Sequence, residues 1–358
     1  ASPKPEIRPQ EARKAGAAIV GSSQPDDINE VSCLLAYPGI FRGALDVRAR
    51  NINSKMKLVA ARAIASLVKK EELKNGQVVP KPMDLDVHVG VAKAVAKAAI
   101  ETGEARKSVD PDLVADRMRR YLYEGESALV EPAEEVLHES LGEESVRLHW
   151  RYHGAIAVKA KVSLRDERML GIISTPGAAD VVRVIKSDPE KVFDYTCKGN
   201  LVAIVTDGSA VLGLGNIGPE AAMPVMEGKA VLFKTFAGVE AFPICVDTQD
   251  PLEIVDVVER IAPTFGGINL EDISAPRCFQ IERQLKKRLN VFVFHDDQHG
   301  TAVVVLAGLL NALKLVGKDI KDITIAINGA GAGGIAVAKL LIHVGVKDIV
   351  LCDTKGAI

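Results

Sequence analysis

The 358-residue chain is long enough for two domains, each with its own core. Its 45 Lys and Arg residues nearly balance its 47 Asp and Glu residues, and a net charge of −2 gives no reason to expect a nucleic-acid or anionic-membrane partner. Five scattered cysteines without a C-x-x-C pair, and no apolar run that we expect to span a membrane, predict a soluble protein in the reducing cytoplasm.

The first part of the chain, residues 1–125, is predicted to be mostly helical and shows no obvious set of catalytic groups. The stretch "NINSKMKLVAARAIASLVKK" places apolar residues at helical spacing behind an Asn/Ser cap. A composition shift follows, because Tyr121 to Val146 holds eight acidic residues and no Lys or Arg. We therefore predict a junction at 126–146, and a solvated acidic helix face is an equally open interpretation.

After the junction, short apolar runs alternate with helical stretches. The runs are "NLVAIVTDG", "AFPICVD", "VFVFHDD", "ITIAING" and "DIVLCD". This alternation predicts an α/β fold, with a parallel-sheet substrate domain over 147–300 and the beginning of a Rossmann-type dinucleotide-binding domain over 301–358.

A first glycine-rich loop, "GLGNIG" at Gly213–Gly218, matches the G-x-G-x-x-G pattern of dinucleotide-binding sites. The strand after its helix ends at Asp247, too far along the chain for the acidic residue that should follow by roughly 20 residues. We therefore predict a tight turn on the substrate side, with Pro219 opening the next helix.

Four carboxylates are predicted to meet at one edge of the sheet. "INLED" and "NVFVF" are predicted strands of a βαβ unit, so Glu271–Asp272 and Asp296–Asp297 follow strands that run in parallel. Carboxylates crowded there would repel one another unless a cation or protons intervene, and such hard oxygen ligands favour Mg²⁺ or Mn²⁺ over zinc. Two alternatives stay open: Asp296 or Asp297 caps a helix beginning near Gln298, and Glu271–Asp272 end a strand in water.

His295 and His299 flank these carboxylates. We expect both histidines to pack or to form hydrogen bonds rather than to bind the ion.

The second glycine-rich loop, "GAGAGG", meets every condition for a dinucleotide site. It lies between a predicted strand and a predicted helix, and the following strand ends in an acidic residue. NAD or NADP is the predicted cofactor, since Asp353 suits ribose hydroxyls whereas Lys355 suits a 2′-phosphate. The candidate binding residues are Gly329, Gly331, Gly334 and Asp353.

Three long motifs resemble the malic enzymes, especially the shorter bacterial and archaeal type. They are "VTDGSAVLGLGNIGPEAAMPVMEGKAVLFK", "FGGINLEDISAPRCF" and "FHDDQHGTAVVVLAGLLNALK". Members of that family are divalent-metal-dependent NAD(P) enzymes that oxidise and decarboxylate malate to pyruvate. "STPGAADV" and "VFDYTCKGN" are similar to the beginning of the same substrate domain.

The order of the segments differs from that of the family. Residues 1–125, with "LLAYPGIFRGALDVRARNI", resemble the family's C-terminal part of the cofactor domain, while about 136–358 resemble its beginning. The remaining nucleotide-domain strands would lie between Ile358 and Ala1. Two explanations are open: a circular permutation with loss of that piece, or a printed segment order that is not the native one.

The resemblance also implies roles for individual residues. Lys229 in "MEGKAV" matches the general base, and Asp296 matches the carboxylate that partners it. Glu271, Asp272 and Asp297 match the metal ligands. Ser174 stands where the family has a tyrosine that acts as general acid. Further departures on the substrate side are Ser2, Ser32 and Cys33.

The expected function is therefore oxidative decarboxylation of malate, a small-molecule substrate, by a homo-oligomer of two or more subunits. Two alternatives are an enzyme for another 2-hydroxy acid, and a catalytically weak homologue that binds metal and metabolite.

Overall fold

The computed structural model describes residues 7–22, 28–124, 140–211 and 213–358. Ser2 and most of the predicted acidic junction lie outside these ranges. The prediction of helices in the first part is confirmed, and Asn53 caps α3 by accepting a hydrogen bond from the amide of Met56. The helices are α1 (Pro9–Lys14), α2 (Tyr37–Asp46), α3 (Ser54–Ser66), α4 (Lys70–Lys74), α5 (Leu85–Glu101) and α6 (Pro111–Arg119).

Four short helices precede the first sheet, and no residue within them is buried. They are α7 (Leu141–Tyr152), α8 (Glu167–Ile173), α9 (Gly177–Ser187) and α10 (Val192–Tyr195). Since an amphipathic helix is stabilised mainly by burying its apolar face, these helices leave apolar surface that no described residue buries.

The first sheet is fully parallel, with strand order β2-β1-β3-β4. Its strands are β1 (Leu201–Thr206), β2 (Glu240–Cys245), β3 (Gly267–Leu270) and β4 (Phe292–His295). The connecting helices are α11 (Pro219–Ala237), α12 (Pro251–Ile261) and α13 (Arg277–Arg288). The prediction of an α/β fold with a parallel sheet is confirmed, and all the strands end at one edge.

The N-terminal helices share a core with this sheet. The ring of Phe41 on α2 lies edge-on to Phe233 of α11 at 4.8 Å and to Phe292 and Phe294 of β4 at 5.2 and 5.4 Å. Such edge-to-face pairs stabilise a core beyond the area that they bury. Residues from the first part of the chain are thereby fixed against the first sheet.

The second sheet is small. β5 (Thr324–Asn328) and β6 (Asp348–Asp353) are parallel, and β7 (Gly356–Ala357) pairs antiparallel with β6. Alternate residues of β5 are exposed, including Ala326, and Val350 of β6 is exposed as well. One face of this half-sheet therefore lacks the helical cover that parallel sheets normally have.

α14 (Asp296–Val316) links the two sheets and is followed by α15 (Ala332–His343) after β5. By length and composition alone α14 could cross a membrane, but 50% of its apolar window is buried within the protein. It contacts α3 and α15, so it serves as a core helix of this fold.

Candidate active site

The parallel register brings the four predicted carboxylates to one edge of the first sheet. Glu271 and Asp272 follow β3, while Asp296 and Asp297 open α14 directly after β4. Oxygen atoms of Glu271, Asp272 and Asp297 all lie within 4.8 Å of one another. We refer to these three residues as the carboxylate trio.

The alternative in which Asp296 or Asp297 caps a helix is wrong. α14 begins at Asp296, its N-cap position is His295, and no side chain caps it. Asp297 instead accepts a hydrogen bond from the backbone amide of Asp272 at 3.0 Å, so it ties the two strand ends together. The alternative in which Glu271 and Asp272 simply end a strand in water is also wrong, because both are buried.

Lys229 projects from α11 into this group. Its Nζ donates to Glu271 Oε1 at 3.1 Å and to Asp296 Oδ2 at 2.5 Å, and the residue is only 8% exposed. Burial lowers the pKa of Lys229, but the charges of Asp296 and Glu271 outweigh it and raise that pKa well above its usual value. The two carboxylates therefore stabilise the ammonium form of Lys229.

Two members of the trio have raised pKa values. Burial raises the pKa of Glu271 to about 8, with Lys229 opposing the shift and the neighbouring carboxylates adding to it. Burial and the charge of Asp297 raise the pKa of Asp272 to about 7. Both shifts express the cost of holding carboxylates together in a buried site, and a divalent cation would remove that cost.

Asp297 is the exception within the trio. Burial raises its pKa, but hydrogen bonding to His295 and the charge of that ring lower it overall. His295 Nε2 lies 3.0 Å from Asp297 Oδ2, and Gln298 bonds to His295 Nδ1 at 2.9 Å. His299 bonds to Glu282 at 2.6 Å. His295 therefore pairs with a member of the trio, whereas His299 contacts Glu282 outside it, and both histidines form hydrogen bonds as the sequence predicts.

The loop at Gly329–Gly334 has space for an added atom at Gly331 but none at Gly334. A Cβ at Gly334 would lie 1.8 Å from the carbonyl oxygen of Gly329, whereas a Cβ at Gly331 would meet no atom within 4 Å. Gly331 is the N-cap residue of α15, and Asp353 ends β6 as predicted. The loop is thus tightly closed against the helix and open where a pyrophosphate would approach.

The loop at Gly213–Gly218 ends where α11 begins. Gly218 has φ of +80° and forms the N-cap of α11, with Pro219 at the first helical position. A Cβ at Gly208 would lie 2.1 Å from the carbonyl oxygen of Gly218. The structure therefore shows a tight turn with close backbone approach, beside the helix that carries Lys229.

Two family models match most of the chain. "Malic enzyme, N-terminal domain" matches residues 153–286, and "Malic enzyme, NAD binding domain" matches residues 23–100 and 298–353. The chain belongs to the malic enzyme family. The segment matching the N-terminal domain of malic enzymes contains Ser174, Lys229, Glu271 and Asp272, while the glycine loop and Asp353 lie in the segment matching their NAD-binding domain.

Named malic enzymes are similar to large parts of the chain. The "Bifunctional malic/malolactic enzyme" of Bacillus subtilis is 61% identical over 219 residues, covering 61% of this chain and 53% of that protein. The "NADP-dependent malic enzyme" of Escherichia coli is 51% identical over 207 residues, covering 57% and 27% respectively. The crystal structure of the NAD-dependent malic enzyme from Thermotoga maritima matches with a TM-score of 0.59 and 50% identity, covering 62% of this chain and 57% of that one. The chain thus spans about half or less of the curated relatives that it matches.

Ser174 is not brought to the carboxylates in the single chain. It is exposed, and its hydroxyl donates to the carbonyl oxygen of Leu170 at 2.7 Å. Ser32 caps a short 3₁₀ turn, and Cys33 in that turn lies against Asp296. Cys33 therefore lies at the site of this malic enzyme homologue. The hydroxyl of Ser174, which the sequence predicts there, does not.

Sequence reasoning missed Tyr37. The Nζ of Lys229 lies 3.9 Å from the centroid of the Tyr37 ring, and Tyr37 is 1% exposed. Tyr37 lies in the motif "LLAYPGIFRGALDVRARNI", and the resemblance of this motif to malic enzymes assigned it to the cofactor domain. Nothing local to that motif indicates contact with a residue almost two hundred positions away.

Proposed function

We propose that the chain carries out metal-dependent oxidative decarboxylation of malate to pyruvate and CO₂, with hydride transfer to NAD or NADP. The observation that carries the proposal is the buried amine of Lys229, bonded to Glu271 and Asp296 beside the carboxylate trio. A base adjoining a cation site matches a reaction that deprotonates a hydroxyl and then stabilises an enolate.

The trio fits Mg²⁺ or Mn²⁺. Its donors are hard oxygens, and two of its three carboxyl groups have raised pKa values that indicate uncompensated negative charge. Asn269 Nδ2 donates to Glu271 Oε2 at 2.7 Å, which orients that carboxylate. The bound ion would supply Lewis acidity to the hydroxyl and carboxylate oxygens of the substrate.

Lys229 and Asp296 handle the hydroxyl proton in this proposal. A divalent cation on the trio would offset the carboxylates that raise the pKa of Lys229, so that its neutral amine would accept the proton of the substrate hydroxyl as hydride leaves the carbon that bears this hydroxyl. Asp296 orients the amine, and its Oδ1 is buried without a hydrogen-bond partner among the described residues. That unsatisfied oxygen is available to a polar group of the substrate.

The open side of the Gly329–Gly334 loop supports a nucleotide site there. The amides at the beginning of α15 would meet the pyrophosphate, and Asp353 would accept the ribose hydroxyls. The bound nucleotide would accept the hydride. Lys355 is exposed two residues after Asp353, so both NAD and NADP remain within the proposal.

The test is a metal-dependent assay with malate, Mn²⁺ and each nucleotide. We expect reduced nucleotide and pyruvate in equal amounts, and Asp297→Asn should lower the rate at least about 100-fold, since even indirect partners of a metal ligand change affinity 10- to 100-fold. Asp322→Asn, an exposed aspartate elsewhere, is the matched control.

Each other outcome contradicts part of the proposal. Faster oxidation of a different 2-hydroxy acid would replace malate as the substrate. Malate binding by calorimetry without any reduced nucleotide would make the chain a non-catalytic homologue. A fully active Asp297→Asn variant would remove Asp297 from the site.

We also propose that the chain forms a homo-oligomer through α7. Val146 and Trp150 lie one helical turn apart on α7 and are 73% and 78% exposed. An exposed apolar helix face of this kind is typical of an interaction surface, and a second copy is the occupant that we propose. The cytoplasmic location inferred from the sequence stays a prediction.

A further inference from the structure

The hydroxyl of Tyr37 is buried at the site without a hydrogen-bond partner. Tyr37 opens α2 and is 1% exposed, and its Oη finds no partner among the residues that the structure describes. Leaving a polar group buried and unpaired costs free energy of folding. A hydroxyl kept at that cost calls for an explanation other than packing.

The ring alone accounts for the packing of Tyr37. It lies edge-on to Phe233 at 4.9 Å, and Lys229 Nζ lies over its face at 3.9 Å from the centroid. A phenylalanine would make both contacts, because neither involves the oxygen. The fold therefore does not need the hydroxyl, and the charges of Lys229, Asp296 and Glu271 act on it.

The surroundings keep this phenol protonated. Burial raises the pKa of Tyr37 well above its usual value, although the charge of Lys229 opposes the shift. The hydroxyl thus holds its proton at neutral pH, and the nearby ammonium stabilises the phenolate that forms when the proton is given away.

The proposed reaction needs an acid of this kind. Loss of CO₂ from the keto acid leaves an enolate whose C3 carbon must gain a proton. Ser174 is exposed and donates to Leu170, and burial beside Asp296 raises the pKa of the Cys33 thiol. Tyr37 is an uncharged donor that lies directly against the base, and its hydroxyl has no competing acceptor among the described residues.

We propose that Tyr37 is a catalytic residue, the general acid that protonates C3 of the enolate. The Oη–H bond breaks as the C3–H bond forms, and the electron pair of the enolate double bond makes the new bond while C2–O becomes a ketone. The phenolate then regains the proton that Lys229 took from the substrate hydroxyl, so no proton is gained or lost over the cycle. This inference rests on the proposed function.

The experiment compares two half-reactions that need no nucleotide. Decarboxylation of oxaloacetate with Mg²⁺, corrected for the protein-free rate, tests the metal site. Exchange of the methyl protons of pyruvate with D₂O, followed by proton NMR, tests proton transfer at C3. The variant is Tyr37→Phe, which keeps the ring, and the control is Tyr195→Phe, which removes an exposed phenol hydroxyl.

We expect Tyr37→Phe to exchange pyruvate protons at least about 100-fold more slowly, the scale of general acid–base catalysis, and to decarboxylate oxaloacetate within about threefold of the wild type. Its melting temperature should not fall, because the lost hydroxyl has no partner. Tyr195→Phe should match the wild type in both reactions.

The outcomes separate this inference from the proposed function. Wild-type exchange by Tyr37→Phe, or a wild type that decarboxylates oxaloacetate but does not exchange pyruvate protons, would overturn the role of Tyr37 alone. An equal loss of both half-reactions in Tyr37→Phe would mean a structural role and overturn it as well. A wild type inactive in both reactions would overturn the proposed function and, with it, this inference.

Discussion

Asp272 shows how a single residue shapes the site. Its φ is +53°, a left-handed conformation that few residues other than glycine adopt but that Asp tolerates. Its backbone amide donates to Asp297, and its carbonyl accepts from Ala210. Backbone in sparsely populated regions is concentrated at functional sites, and here it turns the chain so that adjacent carboxylates face one ion position.

The raised pKa values of the trio predict that stability depends on pH and metal. The pKa of Asp272 is about 7 in the folded protein, above its unfolded value, so the folded state binds more protons between roughly pH 4 and pH 7. The contribution of Asp272 to the free energy of unfolding therefore falls as pH rises through that window. Glu271, with a pKa of about 8, extends the loss to higher pH.

The measurement is the free energy of unfolding from urea titrations in EDTA at pH 5 and pH 8.5. We expect stability to change between these two pH values by at least about 1 kcal/mol less favourably in the wild type than in Asp272→Asn, from the free energy that one pKa unit represents. The comparison between the two proteins isolates Asp272, because the buried His88, His299 and Lys57 have lowered pKa values that act in the opposite direction in both proteins. Saturating Mg²⁺ should reduce the difference, and equal pH dependence of the two proteins without metal would contradict the raised pKa of Asp272.

The residues differ in how far the sequence could predict them. The trio and Asp296 follow parallel strands, and the ends of such strands must share an edge, so local pattern suffices. Lys229 is one lysine on a helix, and only the resemblance to malic enzymes separated it from a surface residue. Tyr37 was missed because its contact with Lys229 depends on packing between distant segments.

At the scale of elements, the strand–loop–helix unit of β5 and α15 contains the glycines that are predicted to bind the nucleotide. Its strand, loop and helix were all predicted, because each leaves a strong local pattern. β7 was not predicted, since a two-residue strand held by pairing with β6 has no pattern of its own. The unit ends in an open sheet face, which weakens it relative to a fully covered sheet.

Two glycines of this unit should respond to substitution in opposite ways. Gly331→Ala adds a methyl group in open space, so it should leave the melting temperature unchanged but weaken NADH binding about tenfold, because the methyl group meets the pyrophosphate. Gly334→Ala places a carbon 1.8 Å from the carbonyl oxygen of Gly329 and should destabilise the protein by about 1–3 kcal/mol.

Fluorescence titration with NADH and thermal unfolding measure the two effects. Gly331→Ala with wild-type affinity would show that the nucleotide does not approach this amide. A Gly334→Ala variant as stable as the wild type would contradict the tight closure of the loop on α15.

At the scale of the whole molecule, the first part of the chain and the catalytic sheet form one core. Phe41 and Tyr37 of α2 reach α11, while α3 packs on α14. The sequence predicted these helices but not their positions, because helical periodicity shows which face is apolar and not what covers it. The same limit applies to α7, in which no residue is buried by the described part of the chain and on which we propose that a second copy packs.

The only tryptophan of the chain reports on that surface. Trp150 is 78% exposed in the single chain, so its emission should be shifted to shorter wavelength if a second copy covers α7. Val146→Glu places a charge on the same face of α7, and a charge buried at an apolar interface opposes association.

We expect this variant to have half the wild-type mass or less by light scattering and a longer emission wavelength. Met83→Glu, at another exposed apolar residue, should change neither property. An unchanged mass for Val146→Glu, or a monomeric wild type, would show that α7 is not the interface.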